Sequence, residues 1–255
     1  YGFVAWQNAV YGIGGCRSQN ATTGDCDWGI SSSVIGSINQ DGNASTVRNS
    51  EPDGTAPCSG VSPTDCNIPP EGASNGEGGN MSGSAVINNG IIYYTGGCTS
   101  AAQGAICYVG AAGKTSDTTF YAQIADDGRL ERVSSCSGTG MEFYGNWCID
   151  NGNTVGGGIA AAGATVFNNV IYLTGGTDGS NWQGTVWRNP LNSDGSLGTW
   201  TSQSFTDLDL GAERGYVFSF TRANPSSAGT YPGNLYVLGG CAASPITENG
   251  IDCTG

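Results

Sequence analysis

The stretch WQNAVYGIGGC at residues 6–16 returns as NNGIIYYTGGC at 88–98, FNNVIYLTGGT at 167–177 and YPGNLYVLGGC at 231–241. The four copies align without a gap: an aliphatic residue (Val10, Ile92, Ile171, Leu235), a tyrosine (Tyr11, Tyr93, Tyr172, Tyr236), two more residues and a Gly-Gly pair. A phrase repeated at long intervals marks stacked supersecondary units, each of which buries its apolar face only against a neighbour.

Outward from the second copy, residues 84–88 alternate small and apolar side chains, Asn88-Asn89-Gly90 supplies a tight turn tolerant of positive φ, and 91–95 returns as a buried strand. Beyond the Gly-Gly pair and a loop holding Cys98 and Cys107, TTFYAQI at 118–124, the turn Asp126-Asp127-Gly128 and RLERV at 129–133 predict strands three and four. The first and third units repeat this later half, with VIGSINQDG at 34–42 and VWRNPLNSDG at 186–195 each running into an Asp-Gly turn. The unit is thus an antiparallel four-stranded meander. The Gly-Gly pairs lie 82, 79 and 64 positions apart (14 to 96, 96 to 175, 175 to 239), too long and uneven for a solenoid. Radial repetition of such sheets predicts an all-β fold of the propeller type.

The phrase resembles the kelch repeat, in which an aliphatic strand ends in Gly-Gly and spaced aromatics follow. The pairs at 14–15, 96–97, 175–176 and 239–240 carry the resemblance, and the third unit adds Trp187 and Trp200. Inserted cysteine loops, and weak aromatic positions in units one and two, depart from the pattern. The resemblance implies a kelch or galactose-oxidase-like β-propeller, a scaffold that mostly binds other molecules. Residues 1–255 read as one propeller segment, with units at about 2–80, 81–155, 156–210 and 211–255. The fourth unit reaches only its Gly-Gly loop, so about three and a half blades are expected. Further sequence, or self-association with another chain, would complete the ring.

Glycine makes up 44 of 255 residues, and the net charge is −13, from 21 acids against seven arginines and Lys114. A phosphate backbone is repelled by such a surface, so nucleic acid is not an expected partner. No apolar stretch approaches the roughly 20 residues of a membrane-spanning helix. Ten cysteines fall into five close pairs, Cys16 with Cys26, Cys58 with Cys66, Cys98 with Cys107, Cys136 with Cys148 and Cys241 with Cys253. Read as five local disulfides, they imply an oxidising, extracellular or cell-surface setting. In a meander, the two–three loops and the blade-to-blade loops share one end of the strands, and this parity assigns all five pairs to one face.

Loops ordered by bridges suit a binding surface, because less entropy is lost on docking. Trp28, Trp147 and Trp182 fall in or beside such loops, either to stack on a glycan or protein partner or to fold back as small satellite cores. The chain has no histidine, which excludes Ser-His-Asp and Cys-His catalysis and the mixed zinc sites. SDGSLGTW at 193–200 is similar to a sialidase Asp-box, but its glycine lies one place too late relative to Thr199-Trp200. Arg214, Arg222 and Glu213 are the residues that a glycan-cleaving alternative would use. No cofactor is expected. Calcium is a lesser expectation, at Asp25 with Asp27 or Asp207 with Asp209. Asn20, Asn43 and Asn80 head N-glycosylation sequons. The expected function is non-catalytic binding or adhesion to a protein or glycan outside the cell. A structural subunit of an extracellular filament or surface layer is the alternative.

Overall fold

The computed structural model describes residues 2–19, 26–29, 33–38, 41, 43, 48–49, 80–99, 115–126, 128–144, 146–204, 214–224 and 232–240. Among these, every regular element is a strand and every pairing between strands is antiparallel. Sheet one runs Gly2–Trp6, Ala9–Ile13, Ser33–Ser37, Arg48–Asn49 in chain order. Sheet three is the same meander over Gly163–Phe167, Val170–Thr174, Thr185–Pro190 and Thr201–Ser204, and sheet four pairs Phe218–Ala223 with Gly233–Leu238. Two small ribbons, Cys16–Gln19 with Cys26–Gly29 and Asn80–Met81 with Cys98–Thr99, extend from the Gly-Gly corners of sheets one and two.

Sheet two begins Ser84–Asn88, Ile91–Thr95, Thr119–Ile124 as the pattern predicts, then departs from it. The expected fourth strand at 129–133 contributes only Leu130–Glu131, paired with Gln123 and Ile124. The chain leaves the sheet over 132–146 and re-enters at Trp147–Asp150, which pairs further along the same strand, at 119–121. One strand position is thus filled by two separated segments. The excursion adds an outer strand, Met141–Tyr144, and the Cys136–Cys148 disulfide ties it back. This corrects the assignment of that pair to a blade-to-blade loop, and with it the assignment of all five pairs to one face. Cys148 sits within the sheet, on the strand next to the outer one, because WCID alternates between two cores, and burial on both sides favours a strand.

The turns follow from their residues. Asn89-Gly90 and Asn168-Asn169 both have positive φ at the two central positions, the geometry that matches the twist of a two-residue hairpin. Gly128 and Gly195, at φ 83° and 81°, close the three–four turns of sheets two and three.

Side-chain alternation then sets the packing. Val4, Ala9, Tyr11 and Ile13 of sheet one form a core with Ile92, Tyr94, Phe120, Trp147 and Ile149 of sheet two. The opposite face of sheet two, through Val86, Tyr93, Tyr121 and Cys148, joins Ile171, Leu173, Leu191 and Leu197 of sheet three. Covered on both faces, Ile91–Thr95 is buried at every position. The opposite face of sheet three meets sheet four through smaller groups: Thr165 and Thr221 hydroxyls lie 3.3 Å apart, and Thr174 is hydrogen-bonded to Ser219. The first strands of the four sheets therefore lie side by side in chain order.

The repeat tyrosines of sheets one and two also tie each sheet to the next. The Tyr11 hydroxyl donates to the Gly128 carbonyl at 2.9 Å, and the Tyr93 hydroxyl donates to the Gly195 carbonyl at 2.7 Å. Both acceptors sit in the three–four turn of the following sheet.

Candidate functional site

The four Gly-Gly corners share one backbone conformation, with all eight glycines at φ between 62° and 109°. That region costs an L side chain roughly 1–2 kcal/mol, and at Gly96, Gly175, Gly176 and Gly240 space is also absent. A Cβ on Gly96 would overlap the Ile159 carbonyl, and one on Gly175 would overlap the Arg214 carbonyl. Close approach has a purpose: Gly97 N–H donates to Ile159 C=O at 2.7 Å, and Gly176 N–H donates to Arg214 C=O at 2.7 Å. The corners of sheets two and three are thus bonded to the segments that lead into sheets three and four.

A second set of backbone bonds runs beside the first. Ala161 N–H donates to Ser82 C=O, and Tyr216 N–H donates to Ala161 C=O, both at 2.7 Å. Ser82, Ala161 and Tyr216 each stand two residues before the first strand of their sheet, and their φ values are 55°, 56° and 56°. Three non-glycine residues held in the left-handed region form a collar across sheets two, three and four. Backbone strain of this kind collects where a structure over-determines a site. Ser82 also hydrogen-bonds the Tyr216 side chain, which opposes the upward push that burial gives the phenol.

Trp182 packs into this collar. Its ring meets Tyr216 edge to face at 6.0 Å, and a Cβ on Gly215 would overlap it. Beside it the loop at 178–181 is ordered by Asp178, whose Oδ1 accepts the N–H groups of Ser180 and Asn181 at 2.7 Å each. Gln183 Nε2 donates to Asp178 Oδ2 at 2.9 Å, and the Thr115 hydroxyl donates to the Asp178 carbonyl at 3.0 Å. Ser180, Asn181 and Gly184 are exposed, so this end of the molecule presents a fixed polar loop.

The structure separates the sequence-predicted residues. Trp147 and Trp182 are 1% and 7% exposed, so neither is available to stack on a ligand; they fill cores. Trp147 lies in the core between sheets one and two, a place set by the strand that its segment forms. Trp28 lies on a described strand whose side chains are outside the described residues. Cys98 is disulfide-bonded, whereas Cys58, Cys66, Cys107, Cys241 and Cys253 lie outside the described residues, as do the sulfurs of Cys16 and Cys26. Asn43 is exposed, Asn80 starts a short strand and Asn20 lies outside the described residues.

The acids that are described serve their own turns. Asp150 is buried, which raises its pKa, and it accepts Gly152 N–H at 3.1 Å. Asp194 accepts the Ser196 hydroxyl at 2.7 Å and its N–H at 3.0 Å, contacts that hold its carboxyl below the usual range. Residues 193–195 thus form the expected Asp-Gly turn, although strand four begins later, at Thr201. Arg214 accepts Gly176 N–H and donates to Gln183 through its backbone, and Arg222 lies exposed on sheet four; Glu213, Asp25, Asp207 and Asp209 are outside the described residues. Among the described residues no three acidic or cysteine side chains converge as a cation site would need. Burial also raises the Tyr121 phenol to about 12 and pushes Tyr93 and Tyr94 upward.

No family model and no curated protein matches the chain. Among solved structures it is similar to YjhT, with a TM-score of 0.45 and 11% sequence identity over 86% of this chain and 54% of that one. The chain spans about half the length of that structure.

The collar escaped sequence reasoning because Ser82, Ala161 and Tyr216 share no residue type. Their signal is positional, a fixed offset of two before each first strand.

Proposed function

We propose that the four sheets are blades of a β-propeller and that the protein is a non-catalytic extracellular module that binds a protein or glycan. The docking surface is the end that carries the Gly-Gly corners, the collar and the loop at 178–181. The observation that carries this reading is the collar itself: backbone bonds through Ser82, Ala161 and Tyr216 fix the loops of three sheets in one frame. A surface ordered before it meets its partner loses less entropy on binding. The commitment of Asp150 and Asp194 to their own turns supports a role without catalysis. The Cys136–Cys148 bridge supports an oxidising setting.

The test is a screen of the chain against arrayed glycans and extracellular proteins, followed by Asn181→Arg on the exposed loop. A ligand should be found, and the variant should weaken it at least about tenfold, about 1.4 kcal/mol, with unchanged thermal stability. A ligand lost instead on substitution of Asn89, Asn168 or Asn169, in the one–two turns at the opposite end, would reverse the choice of face. The filament or surface-layer reading is favoured by a different observation, the exposed apolar face of sheet four.

A further inference from the structure

Among the described residues, every sheet-to-sheet contact follows one rule of faces. Register aligns Gly2, Ser84, Gly163 and Phe218, which stand opposite Ile13, Thr95, Thr174 and Leu238 in their hairpins. The face bearing these residues and their alternates, Val4, Val86 and Thr165, packs onto the following sheet. The intervening residues form the other face, which receives the preceding sheet: Ala85 and Ile87 in sheet two, Ala164 and Val166 in sheet three, Ser219 and Thr221 in sheet four. The interface is head to tail, and it is repeated three times.

Sheet four breaks the series. Its onward face carries Phe218, Phe220, Tyr236 and Leu238, and Phe218 and Leu238 are 65% and 52% exposed. Phe220 and Tyr236 stack at 4.9 Å with rings 8° apart, so the patch is a preformed flat aromatic surface. In sheets one and two the tyrosine aligned with Tyr236 donates to the three–four turn of the next sheet, as Tyr11 and Tyr93 do. Tyr236 occupies the same register position, opposite Phe220. The receiving type of face is exposed at the other end of the molecule, on sheet one, where Phe3 keeps 64% of its surface and Ala5 is also exposed. Sheet one also has the matching Asp-Gly pair in its sequence, at 41–42.

We infer that sheet four of one copy docks on sheet one of a second copy, and that this contact reproduces the interior sheet-to-sheet interface between chains. The second copy is the occupant that the face rule names, since it brings an exposed face of the receiving type. Arg222, on the same face as Phe218 and Phe220, adds a positive group toward a partner of net charge −13. A heterologous contact of this kind closes into a ring or runs on as a filament. The inference rests on the packing of the sheets alone and holds whether or not the Gly-Gly end binds a ligand.

Sedimentation of the 255-residue chain tests it, with salt raised to screen the like charge of the copies. The wild type should associate. Phe220→Asp, which spoils the onward face, and Ala5→Asp, which spoils the receiving face, should each be monomeric. An equimolar mixture of the two should form a one-to-one dimer, because each variant retains the face that the other has lost. That recovery also shows that both variants are folded. A wild-type chain that stays monomeric at every concentration overturns the inference and leaves the face to further sheets or to another protein. Association that survives Ala5→Asp but not Phe220→Asp overturns it in favour of sheet four pairing with itself.

Discussion

The corners of sheets two and three are the same backbone device followed by different solutions to one problem. After Gly97 comes Cys98, paired with Thr115 in an isolated antiparallel β-bridge; after Gly176 comes Thr177, paired in the same way with Trp182. The intervening segments are 99–114 and 178–181, a ratio of 16 to 4 residues. Two doublings of length add about 1.2 kcal/mol to the entropy of closing a loop. The longer segment starts from a disulfide-bonded cysteine, and the shorter one from a buried threonine whose hydroxyl accepts Gly179 N–H at 3.0 Å. Asp178 and Trp182 complete the shorter loop without a covalent bond. The repeat therefore conserves the corner and lets loop length decide the fastening.

If the corners are equivalent, they should fail equally. Gly96→Ala and Gly175→Ala each place a methyl group against a carbonyl and force a left-handed alanine. Strain of about 1–3 kcal/mol and overpacking of about 1–3 kcal/mol give an expected loss of about 2–6 kcal/mol for each. Urea unfolding of the two variants should give losses that agree within about 1 kcal/mol, the usual scatter of context. A mild Gly175→Ala beside a severe Gly96→Ala would show that the two corners bear different loads.

The fastenings, by contrast, should fail unequally. Cys98→Ser removes a disulfide that closes a loop, an expected loss of about 3 kcal/mol. Asp178→Ala removes three charge-assisted acceptor contacts on a half-exposed loop, an expected loss of about 1–2 kcal/mol. The comparison is read from thermal unfolding without reductant. Reductant should lower the wild-type stability and leave the extra cost of Asp178→Ala unchanged.

How much of this was legible in the sequence depends on what each feature rests upon. The Gly-Gly phrase signals its own conformation, because glycine is the residue that left-handed φ and close backbone approach demand together. The first three strands of sheets one and three and the Asn-Gly and Asp-Gly turns follow for similar local reasons, whereas the fourth strands form further along than the segments just after the Asp-Gly turns, at Arg48–Asn49 and Thr201–Ser204. The divided fourth strand of sheet two was not legible. Leu130–Glu131 and Trp147–Asp150 become one strand position only through their common partner, Thr119–Ile124, and no local pattern encodes that pairing. Trp147 and Trp182 were equally ambiguous, since a tryptophan beside a cysteine or in a polar loop has the same sequence context whether buried or exposed. What buries them is a neighbouring strand and a neighbouring collar.

The collar offers the smallest and sharpest comparison, between strain and packing at Ala161. Its φ of 56° costs roughly 1–2 kcal/mol in an L residue, and glycine would relieve that cost. Glycine also frees the unfolded chain, which lowers stability by about 0.4–1 kcal/mol. Removal of one buried methyl lowers it further, so Ala161→Gly is expected to change stability by less than about 1 kcal/mol in either direction. The same substitution at Ser82 should cost more, because it also removes the hydroxyl that meets Tyr216. Paired unfolding measurements therefore separate the two roles of the collar. If Ala161→Gly is strongly destabilising, side-chain packing holds the collar together. If it is nearly neutral while Ser82→Gly is not, backbone bonds hold the frame and the Ser82–Tyr216 contact locks sheet two to sheet four across it.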